Sequence, residues 1–334
     1  MCLSVRRLGA RDQRVQRLRR LLRRSSVRDT EHAFVAEGVK LVEAALDAGA
    51  PVELLFVAAD WRSSAPAVAV VERAARAGLV IFELGPGIME RVADTVSPQS
   101  VCAVVEAVDI GLDELLSGRQ PRGLRFPSGA GPDGLPSGPG PRSLPSGAGP
   151  RNVFSGPGPR SLPSGSGPRS VPSGSGPERR PDLVLVCVDV RDPGNLGAVL
   201  RIAGATGVKG VICCAGTVDP FNPKVVRASA GAVFRVPLVV GATPAEALGA
   251  LAEFGFRCWA TVPHGGTDYA VADLEGPTAL VLGNEGAGLP AEVVSGLNGS
   301  LTIPMEDGTE SLNVAMTVAV LCFDAVRRRR TSAS

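Results

Sequence analysis

The chain has 334 residues with a formal net charge of +2, 44% of them hydrophobic, and its length suits two domains better than one. Forty-one Gly and 28 Pro exceed what an ordinary packed domain uses, so part of the chain is expected to stay out of any core. One Tyr and two Trp argue against a fold built on aromatic stacking platforms, two His against a His-rich metal site, and no apolar run reaches the ~18 residues of a membrane span. The seven Cys are odd in number and irregularly spaced, with no Cys-x-x-Cys, which predicts reduced thiols in a cytoplasmic protein.

Residues 1–28 carry ten Arg and one acidic residue, Asp12. No apolar stretch follows, which excludes a secretory signal and leaves an organelle transit peptide compatible with the composition. Codon bias accounts for 32 Arg beside 3 Lys in the whole chain, but not for a local excess of basic over acidic residues. Val15, Leu18, Leu21 and Leu22 form one apolar helical stripe among these arginines. Phe34–Ala36 reads as a short strand, Glu37–Ala48 as a helix stopped by Gly49, Val52–Ala58 as a strand and Pro66–Ala77 as a helix stopped by Gly78. Leu79–Leu84 is a further strand, Gly87–Ala93 a short helix and Val101–Val105 a strand. The alternation predicts a small α/β domain over residues 1–110.

From Pro127 a nonapeptide repeats six times, as in PSGPGPRSL and PSGSGPRSV. Leu or Val is nearly the only apolar side chain in each unit, so no core can form, and Pro and Gly raise the entropy cost of ordering. Residues 111–181 therefore read as a disordered, weakly basic Pro/Gly/Ser linker. The stretch Gly129–Gly134 matches GxGxxG but follows no strand and opens no helix, so it is no dinucleotide fingerprint.

After the linker the alternation strengthens. Leu183–Val188 is a continuous apolar strand of the kind buried on both faces. Gly194–Thr206 reads as a helix, Gly210–Cys214 as a strand, Pro223–Ala230 as a helix, Val236–Val240 as a strand and Pro244–Phe254 as a helix. Phe256–Val262 and Thr278–Leu282 are strands, Pro290–Leu297 a helix, Ser300–Ile303 a strand and Ser311–Arg330 a long last helix. Strands separated by helices predict an α/β fold with a mostly parallel, doubly wound sheet over residues 182–330, whose ligands bind beyond the carboxyl ends of the strands.

Three polar clusters fall at such ends. In Asp189-Val-Arg-Asp-Pro-Gly-Asn195 a strand ends and a helix begins; Asn195 is a candidate cap for that helix. Arg201, six residues on, stands among Leu196, Val199, Leu200 and Ile202, where a cation needs a partner or a surface. In Leu282-Gly283-Asn284-Glu285-Gly286-Ala-Gly288, glycines after a buried strand let a backbone approach a ligand, and Asn and Glu can hydrogen-bond it; a plain turn is the bland alternative. In Ile303-Pro-Met-Glu-Asp-Gly-Thr-Glu-Ser311-Leu312-Asn313, Ser311 is a credible cap for the last helix and Asn313 is less easily read as structural.

Taken in order, Asn-x5-Arg, GNEGxGL and IPM…SLNVA resemble the SpoU/TrmH branch of the SPOUT RNA 2′-O-ribose methyltransferases. Residues 11–106, with FVAEGVKLVEAAL and TVSPQSVCAVV, are similar to that family's L30e-like substrate-binding domain, which argues against the transit peptide; the repeats lie outside the pattern. The resemblance implies a trefoil knot formed by the C-terminal segment, a homodimer with the knot regions packed together, and S-adenosylmethionine held by Gly283, Ile303, Leu312, Ser311 and Asn313. It implies a catalytic group of Arg201, Asn195 and Glu285, with Arg201 holding the target phosphate and lowering the hydroxyl's pKa rather than acting as a free base. Arg14, Arg17, Arg20, Arg24 and Arg28 are then expected to contact RNA phosphates. Ribosomal RNA is favoured over transfer RNA as the partner, with no membrane and no metal involved. The competing readings are a nucleotide-dependent dehydrogenase, disfavoured by the missing fingerprint, and an RNA-binding protein that kept the fold without catalysis, disfavoured by the retained Arg201 and Asn195.

Overall fold

Leu183–Cys187 (β6) and Thr278–Leu282 (β11) are buried at every position and lie side by side in the middle of a seven-stranded sheet. The computed structural model describes residues 5–93, 99–117, 182–274, 276–306 and 310–332. The nonapeptide array lies outside the described residues.

The first lobe is built on five strands, β1 (Arg6–Leu8), β2 (Ala33–Glu37), β3 (Val52–Val57), β4 (Val80–Leu84) and β5 (Val101–Glu106), in the order β1-β4-β3-β5-β2. β1, β4 and β3 run parallel, whereas β5 is antiparallel to β3 and β2. Helix α1 (Gln13–Arg23) buries the apolar stripe read from the sequence, Val15, Leu18, Leu21 and Leu22, and Asp12 caps it by accepting from the Arg14 N–H. Helices α3 (Val39–Asp47), α4 (Ala65–Arg76) and α5 (Ile88–Val92) fall within a residue or two of their expected places. Gly49 and Gly78 follow α3 and α4 at φ of 66° and 78°, a left-handed turn open to glycine without a Cβ penalty. Two elements carried no sequence signal. β1 is three residues of an edge strand, two of them Arg, and α2 (Ser25–Glu31) has no apolar stripe because its central contact is Arg28.

Helix α6 (Leu112–Ser117) lies in the segment read as linker. Its Leu115 and Leu116 are buried with Val184 and Ile212 in the second lobe, so packing, not repeat composition, governs the chain up to residue 117.

The second lobe continues with α7 (Pro193–Thr206), β7 (Gly210–Cys213), α8 (Pro223–Ala228), β8 (Leu238–Val240), α9 (Pro244–Glu253), β9 (Arg257–Thr261) and β10 (Thr267–Asp268). After β11 come α10 (Ala291–Ser295), β12 (Gly299–Thr302) and α11 (Val314–Ser332). The sheet order is β10-β12-β9-β11-β6-β7-β8 and every neighbouring pair is parallel. From β6 the chain builds outward through β7 and β8, then returns to the other side with β9 and β11. The crevice where a parallel sheet binds ligands therefore falls at the carboxyl ends of β6 and β11.

One apolar cluster runs through both lobes and includes Phe34, Val42 and Val105 of the first with Leu196, Phe221 and Phe234 of the second. The Phe34 ring lies 4.8 Å from that of Phe221 and 5.8 Å from that of Phe234, within the range of favourable aromatic pairs.

Candidate active site

The end of β6 and the end of β11 are tied together by side chains. The Glu285 carboxylate accepts from the main-chain N–H groups of Arg191 (3.2 Å) and Asp192 (3.1 Å) and from Nδ2 of Asn195 (3.0 Å). Partial burial pushes this carboxyl up, but the donors of Asn195, Arg191 and Asp192 outweigh it and hold the group below the usual carboxylate range. Asn195 in turn accepts from Nδ2 of Asn313 at 2.7 Å. The three motifs, spread over more than a hundred residues, thus meet in one chain of hydrogen bonds, Glu285–Asn195–Asn313.

Two capping assignments change. Asp192, not Asn195, caps α7: its carboxylate accepts from the Asn195 N–H at 2.8 Å, and Pro193 stands at the first helical position. That leaves the Asn195 side chain for Glu285 and Asn313. Asn313, not Ser311, caps α11, with its Oδ1 accepting from the Ala315 N–H at 2.9 Å. Ser311 is exposed and makes no hydrogen bond with another described residue.

Asn284, a possible hydrogen-bonding partner from the sequence, and Asp189, which the sequence does not mark, also meet here. Nδ2 of Asn284 donates to the Asp189 carbonyl (3.0 Å), while its Oδ1 accepts from the N–H groups of Gly286 and Ala287 (3.0 Å each). Asp189 has a left-handed φ of 57°, uncommon for a residue with a Cβ. An Asn after glycine at a strand end was the available signal for the first; nothing local marked the second. Gly283 is required by the loop itself: a Cβ there would lie 2.6 Å from the Gly288 carbonyl oxygen and from the Leu289 nitrogen. The backbone that approaches Gly283 is the loop's own.

Ile303 is half-buried at the end of β12 and Leu312 is 37% exposed just before α11. No main-chain hydrogen bond to another described residue engages either. Arg201 is exposed, on the outward face of α7, and forms no ion pair with any described residue. Leu196, Val199, Leu200 and Ala203 take the inward face. Arg201 is thus not brought into contact with the Glu285 group; six residues of helix separate it from Asn195, about 9 Å of rise.

The five arginines of the basic start part company. Arg24 is exposed with no partner among the described residues, and Arg20 is exposed with only a 3.9 Å approach to Glu31. Arg14 is exposed beside Asp12 and over the Phe82 ring. Arg17 is held by Glu31 and Glu53, and those two carboxylates, Glu53 first, raise its pKa further. Arg28 is a correction: its side chain is 4% exposed, with Nε and Nη2 on Asp219 and Nη1 on the Leu21 carbonyl, so its donors are spent on the protein and it faces no phosphate.

The six described cysteines are free and buried. Burial pushes Cys258 up to about 11 and Cys214 and Cys322 up to about 12, so these thiols stay protonated at neutral pH and supply no thiolate nucleophile. Among the described residues no group of three or more His, Cys, Asp or Glu could hold a metal ion, and no helix is long and apolar enough to cross a membrane.

Fold and site define a two-lobed α/β protein with a hydrogen-bonded polar cluster at the carboxyl edge of a parallel SPOUT-type sheet. Residues 182–323 match the SpoU rRNA Methylase family and residues 12–103 the MRM3-like substrate binding domain, and these two regions of the chain belong to those families. The 23S rRNA (guanosine(2553)-2′-O)-methyltransferase RlmP of Bacillus subtilis is 36% identical over 140 residues, 42% of this chain and 56% of that one; the chain thus spans little more than half the length of that relative. A crystal structure of an AdoMet-bound rRNA methyltransferase from Sinorhizobium meliloti shares the fold with a TM-score of 0.68, covering 97% of this chain and 98% of that one at 24% identity. A crystal structure of an RNA 2′-O ribose methyltransferase aligns with a TM-score of 0.63 and 26% identity over 97% of this chain and 99% of that one.

Proposed function

We propose that the chain transfers a methyl group from S-adenosylmethionine to a ribose 2′-hydroxyl of ribosomal RNA. The observation that carries this reading is the Glu285–Asn195–Asn313 chain, which joins the three motifs of a SpoU-type domain at the carboxyl edge of β6 and β11. The names of the matched relatives and the substrate-binding lobe favour ribosomal over transfer RNA.

The residues present fit the donor. Ile303 and Leu312 offer apolar surface, and their main-chain groups, with no hydrogen-bond partner among the described residues, need one from water or a ligand. Gly283 keeps the loop after β11 tight enough to share that wall, and Ser311 presents a hydroxyl with no hydrogen-bond partner among the described residues. When bound, S-adenosylmethionine supplies an electrophilic methyl group.

The chain's own residues have the remaining work. A ribose hydroxyl is a weak nucleophile and must shed its proton as the methyl arrives. Glu285 is poorly suited to take it, since three donors already occupy its carboxylate and hold it ionised. Its role is to fix Asn195, and Asn195 and Asn313 then orient the groups around the reacting atoms. Arg201, exposed and without an ion-pair partner among the described residues, holds the target phosphate and stabilises the developing oxyanion.

The same reading includes a trefoil knot, in which the segment after β12 threads back to α11, and a homodimer. The return of α11 onto α7 supports the first. A stripe of exposed Met316, Val320 and Phe323 on α11 supports the second. The protein is proposed to act in the cytoplasm.

The test is to incubate the chain with methyl-labelled S-adenosylmethionine and either protein-free large-subunit ribosomal RNA or transfer RNA, then map 2′-O-methyl sites. One labelled ribose in ribosomal RNA is expected. Label in transfer RNA alone would overturn the substrate, and no label in either would overturn the activity.

A further inference from the structure

We propose that Arg28 is a positioning residue: the Arg28–Asp219 pair is a strut that holds the α7 and Asp189 sides of the active site in register with the first lobe. The inference rests on the methyltransferase reading for its consequence, but its geometry stands on the fold alone.

Arg28 belongs to α2 and Asp219 to the loop after β7, 191 residues later. Nε and Nη2 of Arg28 meet one Asp219 oxygen at 2.7 and 2.6 Å, and Nη1 donates to the Leu21 carbonyl at the end of the basic helix α1. The other Asp219 oxygen accepts from the Phe221 N–H at 2.7 Å. With Arg28 buried, Asp219 half-buried and both Asp219 oxygens engaged, the pair tolerates little movement, because separating it leaves the buried guanidinium unpaired.

From Asp219 two routes lead to the site. One runs along the loop: the Val218 N–H donates to the Val190 carbonyl and the Thr217 hydroxyl to the Cys187 carbonyl, both at 2.9 Å. Those carbonyls flank Asp189, whose own carbonyl receives Asn284. The other runs through α8. Phe221 packs against Phe34 of β2 with its ring tilted by 30°, Asn222 caps α8 by accepting from the Lys224 N–H, and α8 packs on α7 so closely that a Cβ at Gly197 would collide with Ala228. Helix α7 carries Asn195 and Arg201. A second ion pair, Arg227 of α8 with the buried Glu37 of β2, lies on this same route.

RNA bound on the first lobe would therefore be presented to the site at a fixed offset. Loss of the strut should cost placement of the ribose, not binding of RNA, since the exposed arginines remain. A displacement of about 1 Å at a reacting centre is enough to cost up to about a hundredfold in rate.

The test compares the full chain with Arg28→Met/Asp219→Leu, an apolar pair that refills the seam without stranding a charge, and with Arg28→Lys, which retains charge but not the three-point grip. Main-chain hydrogen exchange is followed in residues 193–206 and 187–190. Single-turnover methylation is measured at saturating S-adenosylmethionine and large-subunit ribosomal RNA, well below the melting temperature. The salt dependence of RNA binding is measured on the same preparations. The double variant is expected to exchange faster in both segments, to methylate at least about tenfold more slowly, and to keep the wild-type salt slope; Arg28→Lys should fall between. Unchanged exchange, or an unchanged single-turnover rate in a methylating protein, would overturn the strut. So would a salt slope lower by about one, which would make Arg28 a phosphate contact. If the unaltered chain methylates neither RNA, the methyltransferase reading fails, and exchange alone then decides for or against the strut.

Discussion

Arg201 stands in a run of apolar residues yet lies on the outward face of α7 without an ion-pair partner among the described residues. Its removal should leave the fold untouched. Arg201→Ala is expected to lower single-turnover methylation by about 10² to 10⁴, the range for one positioned acid–base or electrostatic group, while melting temperature and donor affinity hold. Arg201→Lys should not rescue it, since an ammonium lacks the planar two-point grip on phosphate. A melting temperature lowered by Arg201→Ala would show a structural role instead. Glu285 makes a different prediction. Its folded-state pKa is depressed, so what it contributes to the site is present above the ordinary carboxylate value and is lost only as pH falls through the lower folded value. Donor affinity, followed by calorimetry, should therefore stay flat from neutral pH down to about 4.3, the ordinary value for Glu, and fall below it. A midpoint between pH 5 and 7 would mean that another group governs binding. Both residues are named by the family resemblance rather than by composition or periodicity. Asn195 is a candidate cap in the sequence, but Asp192 holds that position, which frees the Asn195 side chain to bridge Glu285 and Asn313.

At the scale of elements, α1 and α11 carry the two surfaces on which the proposed function depends. The stripe of Val15, Leu18, Leu21 and Leu22 faces the core, which turns Arg14, Arg20 and, just beyond the helix, Arg24 outward. Replacing these three with Gln should weaken RNA binding and reduce the log–log salt slope by about one for each lost phosphate contact. An unchanged slope would return the arginines to codon bias. On α11 the inward positions Ala315, Val318, Leu321 and Cys322 are buried, while Met316, Val320 and Phe323 are exposed at helical spacing. Val320→Glu with Phe323→Glu is expected to convert a dimer into a monomer in sedimentation equilibrium without unfolding it. If the unaltered chain already sediments as a monomer, the homodimer is wrong. Most elements are readable because helix and strand periods are local properties. β1, α2, α6 and β10 are not: β1 and β10 are edge strands of three and two residues, α2 is held by an ion pair, and α6 lies in the segment read as linker.

At the scale of the molecule, the two lobes share an apolar cluster and two ion pairs, each with one buried partner, so they are expected to melt together. The residues bordering the repeats meet at one point: the Lys209 ammonium donates to the Leu116 carbonyl at 2.8 Å and lies 3.7 Å from an Asp182 carboxylate oxygen. Deleting residues 127–180 should thus need no rearrangement of the described parts. A single thermal transition within a few degrees of the full chain is the expected result. Two separated transitions, or loss of the folded state, would contradict it.

What the sequence determined by itself was whatever depends on neighbours a few residues away. The continuous apolar runs Leu183–Val188 and Thr278–Leu282 read as buried strands, the alternation around them as a mostly parallel α/β sheet, and the resemblance carried by the three motifs implied the chemistry. What only the tertiary structure decided was the partner of each polar side chain. Arg24 and Arg28 sit four residues apart in one basic run and look alike there, yet one is exposed and the other is buried on Asp219. Ser311 is the better cap on paper, yet Asn313 holds that place, and Gly283 is equally suited to a ligand or to its own loop. The reason is physical: period and propensity act along the chain, whereas the free energy of a charged or polar group is set by what desolvates it, and for Arg28 that neighbour lies 191 residues away.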